Sequence, residues 1–154
     1  MADSSIRHFH TKVVGVTQEN EDGKSRQRIL KSCKEMEQVV LLHDAENEYD
    51  EFAIEVRRTN GQQIGFLPSH TAESVAENIA AGFGYWAWIK NLTGGERSKK
   101  SRGANLLILE ADAQATDADV QTYARNELGM KVGRSRSGCV LLFLGAVFLI
   151  VAAM

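Results

Sequence analysis

The chain has 154 residues, 44% hydrophobic and 25% charged, with a net charge of −2; it can bury one core and carries no whole-molecule attraction for nucleic acid, so any such binding rests on a local patch. Two cysteines, Cys33 and Cys139, exclude a disulfide framework or a zinc cluster and fit a reduced compartment. The N-terminus lacks the basic region and apolar run of a signal peptide.

His10 to Val16 reads as the first strand, followed by a polar loop over Thr17–Lys24. Ser25 is placed to cap a short helix, with Ile29, Leu30, Cys33 and Met36 at helical spacing. Arg26 at its start reads, on the residues alone, as a solvated charge.

Val39–Leu42 is an all-apolar run, as expected of a buried strand. In Phe52–Arg57 the residues Phe52, Ile54 and Val56 alternate with Ala53, Glu55 and Arg57, the period of a half-buried strand. Asn60-Gly61 is a hairpin turn signal, and Gln63–Leu67 returns as a third strand. Between the first two lies Asn47-Glu48-Tyr49-Asp50, too polar for a core. It is either an Asx-type reversal or a ligand contact on a rigid strand pair.

This stretch resembles the HIRAN domain, whose pattern is a strand, Asn-Pro-Tyr-Asp, Ala-Ile-x-Val, then a Gly-Tyr/His-Leu strand. The matching residues are Asn47, Tyr49, Asp50, Ala53, Ile54, Val56, Gly65, Phe66, Leu67 and Pro68. The likeness spans roughly Phe9 to Glu110, and the chain resembles the small stand-alone bacterial members. It implies a β-rich α+β fold, a small SH3/OB-like β-barrel with one or two short helices. In the best understood members, fused to fork-remodelling ATPases, the domain binds the 3′ end of single-stranded DNA. Carried over, Arg26 would meet a phosphate, Tyr49 would stack on a terminal base, Asp50 would accept a bond from the 3′ hydroxyl, Asn47 would shape the loop and Phe66 would line the same site. Two departures stand out. Gln27 replaces the second stacking ring of the DNA-end binders, and Glu48 replaces the loop proline, with Glu51 adding further negative charge.

Further along, Ser69 is a helix-cap candidate, and Ala72, Val75, Ala76, Ile79 and Ala80 form one apolar helical face that Gly82 stops. Tyr85–Ile89 alternates as a strand. Trp86 and Trp88 share one side, suited to base stacking or, more commonly, to a core. Glu96–Gly103 is a loop bearing Arg97, Lys99, Lys100 and Arg102, either a track for phosphates or a solvated tip. Ala104–Ala111 closes the sheet. With the resemblance, residues 1–112 are expected to form the HIRAN-like domain.

Residues 113–138 hold a short helix, opened by a capping-box pattern at Thr116–Asp119 and stopped by Gly129, and then a basic linker. Residues 139–154 carry no polar or charged side chain. As a helix they would extend roughly 24 Å, short of a ~30 Å hydrocarbon core but tolerable by local thinning. The expectation is a C-terminal transmembrane anchor with Lys131, Arg134 and Arg136 holding the folded domain in the cytoplasm.

No phosphate loop, HExxH, nucleophile elbow or CxxC pair is present. No catalytic residues, metal ligands or cofactors are expected. The sequence supports a membrane-tethered module for single-stranded DNA or a DNA 3′ end. The alternatives are a membrane-bound protein-interaction domain that has lost DNA binding and, behind it, a metal-dependent nuclease using the acidic loop.

Overall fold

The computed structural model describes residues 5–131. The expected anchor at residues 139–154, and all but the first residue of the linker before it, lie outside the described residues. Among the described residues no helix is long and apolar enough to cross a membrane.

The elements are β1 (Ile6–Lys12), α1 (Arg26–Ser32), β2 (Gln38–His43), β3 (Ile54–Arg58), β4 (Gln63–Phe66), α2 (Ser69–Ala80), β5 (Gly84–Thr93), β6 (Gly103–Ala111) and α3 (Asp117–Leu128). The strands form one antiparallel sheet in the order β1-β6-β5-β2-β3-β4. Because side chains alternate along a strand, the sheet has two buried faces. Tyr85, Ala87 and Ile89 face a core with Val39, Leu41, Ile54, Val56, Ile64, Leu106 and Ile108, closed by Ile29 and Leu30 of α1 and Ala72, Val75 and Ala76 of α2. Trp86 and Trp88 face the other way. They pack with Leu107, Leu109 and Ala111 beneath Val120 and Ala124 of α3. Both tryptophans are thus core, not a stacking platform, because α3 folds back onto the sheet.

The sheet does not close into the expected barrel. Its edges β1 and β4 touch at one antiparallel bridge beyond the end of β1, Val14 with Phe66, through Val14 N to Phe66 O at 2.8 Å and Phe66 N to Val14 O at 2.9 Å. A longer ladder is prevented on both sides. Val13 N is already bonded to Ala104 O at 2.9 Å, and at Gly15 (φ 69°) the chain turns away. The crossing is tight: a Cβ on Gly65 would overlap Val14 O and Val13 Cγ1.

The first strand starts earlier than its apolar run suggests, at Ile6 and not His10. Its polar residues have partners far along the chain: Arg7 Nε donates to Glu110 Oε1 at 2.5 Å, and His8 Nδ1 and the Tyr123 hydroxyl of α3 share a 2.8 Å hydrogen bond. Ser25 caps α1, its hydroxyl accepting from Arg28 N at 3.4 Å. Thr116 and Asp119 form the capping box of α3, and Gly129 ends that helix. In α2, however, Pro68 takes the cap position and Ser69 is the first helical residue, which frees the Ser69 hydroxyl for another contact.

Candidate nucleic-acid interface

The turn between β2 and β3 is pinned at its base by Asp44 N to Ala53 O, 2.8 Å. Inside it Asn47 Oδ1 accepts from the backbone N–H of Tyr49 at 3.0 Å and of Asp50 at 3.1 Å, while Asn47 Nδ2 donates to Asp44 Oδ2 at 3.0 Å. Asp50 Oδ1 accepts from Phe52 N at 2.9 Å. These are Asx-type turns, in which a short polar side chain stands in for a backbone acceptor. The two sequence readings of this loop are therefore not exclusive. Asn47 and Asp50 spend their bonds on the turn, and the turn pushes the Tyr49 side chain outward, 93% exposed. Tyr49 is the one fully exposed Phe, Tyr or Trp among the described residues. The other carboxylate oxygen of Asp50 accepts from the Ser69 hydroxyl at 3.4 Å, which ties the turn to the start of α2.

Arg26 is buried, 5% exposed, and not a solvated charge. Its Nε donates to Asn20 Oδ1 at 2.7 Å and its Nη1 to Gly15 O at 2.9 Å. Its guanidinium carbon lies 5.2 Å from the centroid of the Phe66 ring, a cation–π distance. Burial pushes the Arg26 pKa down, and the nearby Glu55 carboxylate opposes that shift. Asn20 in turn donates to Gln63 O at 2.9 Å. One guanidinium thereby joins the turn after β1, the loop before α1 and strand β4.

The next residue anchors a third segment. Gln27 Nε2 donates to Val16 O at 2.8 Å and to Arg102 O at 2.9 Å, and its Oε1 accepts from Arg102 N at 2.7 Å. The base of the β5–β6 loop is thus fastened to α1. At the tip Glu96 and Lys99 exchange backbone bonds of 3.0 and 3.2 Å. Arg97, Lys99 and Lys100 are exposed, whereas Arg102 is half-buried, its guanidinium folded close over Gly95.

The structure therefore brings Arg26 and Phe66 into contact and gathers Asn47, Tyr49 and Asp50 in one turn. The two groups are linked through the short segment from Phe66 to Ser69. A cleft of about 200 Å³ lies beside Asn20, Lys24, Glu55, Arg57, Gln62 and Gln63, and one of about 580 Å³ beside Glu19, Gly23, Ser25, Arg28 and Ser32; Arg26, Tyr49, Asp50 and Phe66 line neither. In the Asn47–Asp50 turn Glu48 and Tyr49 are exposed, while Asn47 and Asp50 are half-buried. The sequence does not single out Gln27 and Ser69 as contacts, since a glutamine in a helix and a serine after proline carry no pattern that names a distant partner. Among the described residues no group of three His, Cys, Asp or Glu side chains is placed to hold a metal ion.

Away from this surface, Glu110 is a buried carboxylate. It accepts from Arg7 Nε, from the Tyr85 hydroxyl at 2.5 Å and from Asn78 Nδ2 at 3.3 Å. Burial alone would raise its pKa, but these three donors together hold it below the usual carboxylate range. Burial, and then the bond to Glu110, push the Tyr85 hydroxyl well above the ordinary phenol range.

The family profile of the HIRAN domain matches residues 6–93. The crystal structure of the HIRAN domain of human HLTF is similar over 84% of this chain and 96% of its own, with a TM-score of 0.54 and 19% identity. A crystal structure of a protein from Lactobacillus plantarum is similar over 71% of this chain and 99% of its own, with a TM-score of 0.55 and 16% identity. At these identities the likeness is one of fold. No match was found among curated proteins.

Proposed function

This chain belongs to the HIRAN-domain family, and from that premise we propose that it is a nucleic-acid-binding module contacting single-stranded DNA or a DNA 3′ end, without catalysis of its own. The observation that carries the reading is the Tyr49 ring, held out at 93% exposure by a turn whose polar groups are bonded to one another. An aromatic face in water on a rigid turn is a platform for a base, because every base offers a π-face. Asp50, with lone pairs to spare beyond its bonds to Phe52 and Ser69, is the acceptor for a terminal hydroxyl. Arg26 supplies fixed positive charge over Phe66. With Nε and Nη1 engaged and the residue 5% exposed, it would act on a phosphate chiefly through its charge. Arg97, Lys99, Lys100 and Arg102 would follow the strand backbone. The apolar residues 139–154 would tether the module to a membrane, a part of the proposal that rests on their sequence alone.

A second reading, a protein-interaction domain, is favoured by Glu48 and Glu51, both exposed on either side of the turn, where they repel phosphate. The test is binding of the full chain to labelled single strands at low salt, with free and with blocked 3′ ends. The proposal expects binding that Tyr49→Ala weakens. Absence of binding by the unaltered chain rejects it in favour of the second reading.

A further inference from the structure

Gln27 turns both ends of its side-chain amide inward, Nε2 to Val16 O and Arg102 O, Oε1 to Arg102 N. With those groups engaged it acts as a strut and not as a ligand contact. What it holds is the neck of a loop that is otherwise built to be stiff. Gly94 takes φ 73°, and a Cβ there would overlap the Ser101 carbonyl. Arg102 closes over Gly95, and Glu96 and Lys99 lock the tip. Three cations, Arg97, Lys99 and Lys100, stand exposed on this fixed tip. A loop whose backbone is already held loses less freedom on meeting an anion than a mobile one, so more of the attraction of its cations appears as affinity.

From these observations we infer that Gln27 is the positioning residue of the interface, and that by fixing the β5–β6 loop it sets the grip of the module on the strand backbone. The inference rests on the nucleic-acid reading above and deepens it. The partner is a flexible polyphosphate strand, gripped at internal phosphates by Arg97, Lys99 and Lys100. Single-strand binding through about three phosphates gives a salt slope of about −2.

The experiment uses the full chain and fluorescent oligo-dT with free or blocked 3′ ends, titrated at several salt concentrations. Gln27→Ala is expected to weaken both by roughly threefold or more and to flatten the salt slope. In a chain already carrying Arg97→Gln, Lys99→Gln and Lys100→Gln, the same change is expected to add nothing, the coupling that a positioning role requires. Amide exchange of residues 96–102 is expected to speed up in Gln27→Ala while the rest of the sheet is unchanged. A simple loss of folding would instead speed exchange throughout, and that outcome overturns the strut role.

If strands bind through Tyr49 and Gln27→Ala is neutral, the nucleic-acid reading stands and this inference falls. If the unaltered chain binds no strand, both fall. Equal affinity for poly-glutamate overturns it as well, because the loop would then be answering to charge alone.

Discussion

Arg26 lies with its guanidinium 5.2 Å from the centroid of Phe66, beside the single bridge at which the two edges of the sheet meet. Phe66 makes that bridge with Val14, and Arg26 bonds the carbonyl of Gly15, the next residue. One side chain thus secures the seam of the fold and places positive charge at the proposed interface. Arg26→Met should leave Gly15 O and Asn20 without their donor and lower stability by about 2–4 kcal/mol. Arg26→Lys should recover less than half of that, since an ammonium cannot reach both acceptors in the fork geometry. Chemical denaturation of the two variants checks the pair of values.

Tyr49 and Asn47 should separate binding from stability. Tyr49→Ala removes an exposed ring, so stability should change by no more than about ±0.5 kcal/mol. Strand affinity should fall by about 1–3 kcal/mol. Asn47→Ala removes the acceptor for two backbone N–H groups and should cost about 1–2 kcal/mol of stability as well as affinity. Asn47→Asp keeps the acceptor but replaces the bond to Asp44 Oδ2 with two facing carboxylates, so it should recover only part of that stability. Melting and anisotropy on the same preparations distinguish these patterns.

Gly65 should resist substitution. A Cβ there would overlap Val14 O and Val13 Cγ1, so Gly65→Ala must push the chain after β1 away from β4. The expected cost is about 1–3 kcal/mol, with faster amide exchange at Val14 and Phe66, the two N–H groups of the bridge. An unchanged exchange rate there would show that the seam does not carry the strain.

Glu110 predicts a pH dependence. Its folded pKa is depressed, so its contribution is fully present above the unfolded carboxylate value of about 4.5 and is lost as pH falls through the lower folded value. Glu110→Gln should reduce stability near neutral pH by about 2 kcal/mol, because Arg7 and Tyr85 lose a charged acceptor. The difference between variant and parent should shrink on acidification below about pH 4.5. Denaturation midpoints from about pH 7 to about pH 3 give the comparison.

The hairpin of β3 and β4 is legible in the sequence because alternation at Phe52–Arg57 and the Asn60-Gly61 turn are local signals. The caps of α1 and α3 are legible for the same reason. The start of β1 is hidden, because His8 is satisfied by Tyr123, 115 residues away. Whether the sheet closes is hidden too, because it turns on the crossing of Gly65 and Val14, where no periodicity speaks. At the candidate site, the Asn47–Asp50 turn announces itself through residue types that favour Asx turns. Arg26 reads from sequence as a solvated or ligand-facing charge, whereas in the fold Gly15 and Asn20 hold it buried. The role of Gln27 is invisible in sequence, for its partner Arg102 is 75 residues distant.

Nucleic acid is proposed to meet the protein at the exposed ring of Tyr49, and crosslinking addresses that contact directly. Single strands carrying photoreactive bases, internal or at the 3′ end, would be crosslinked to the full chain at low salt and the attachment mapped by mass spectrometry. The predicted result is attachment at Tyr49, or at residues 47–50 around it, and its loss in Tyr49→Ala. Attachment confined to other surfaces, or none at all, would contradict it.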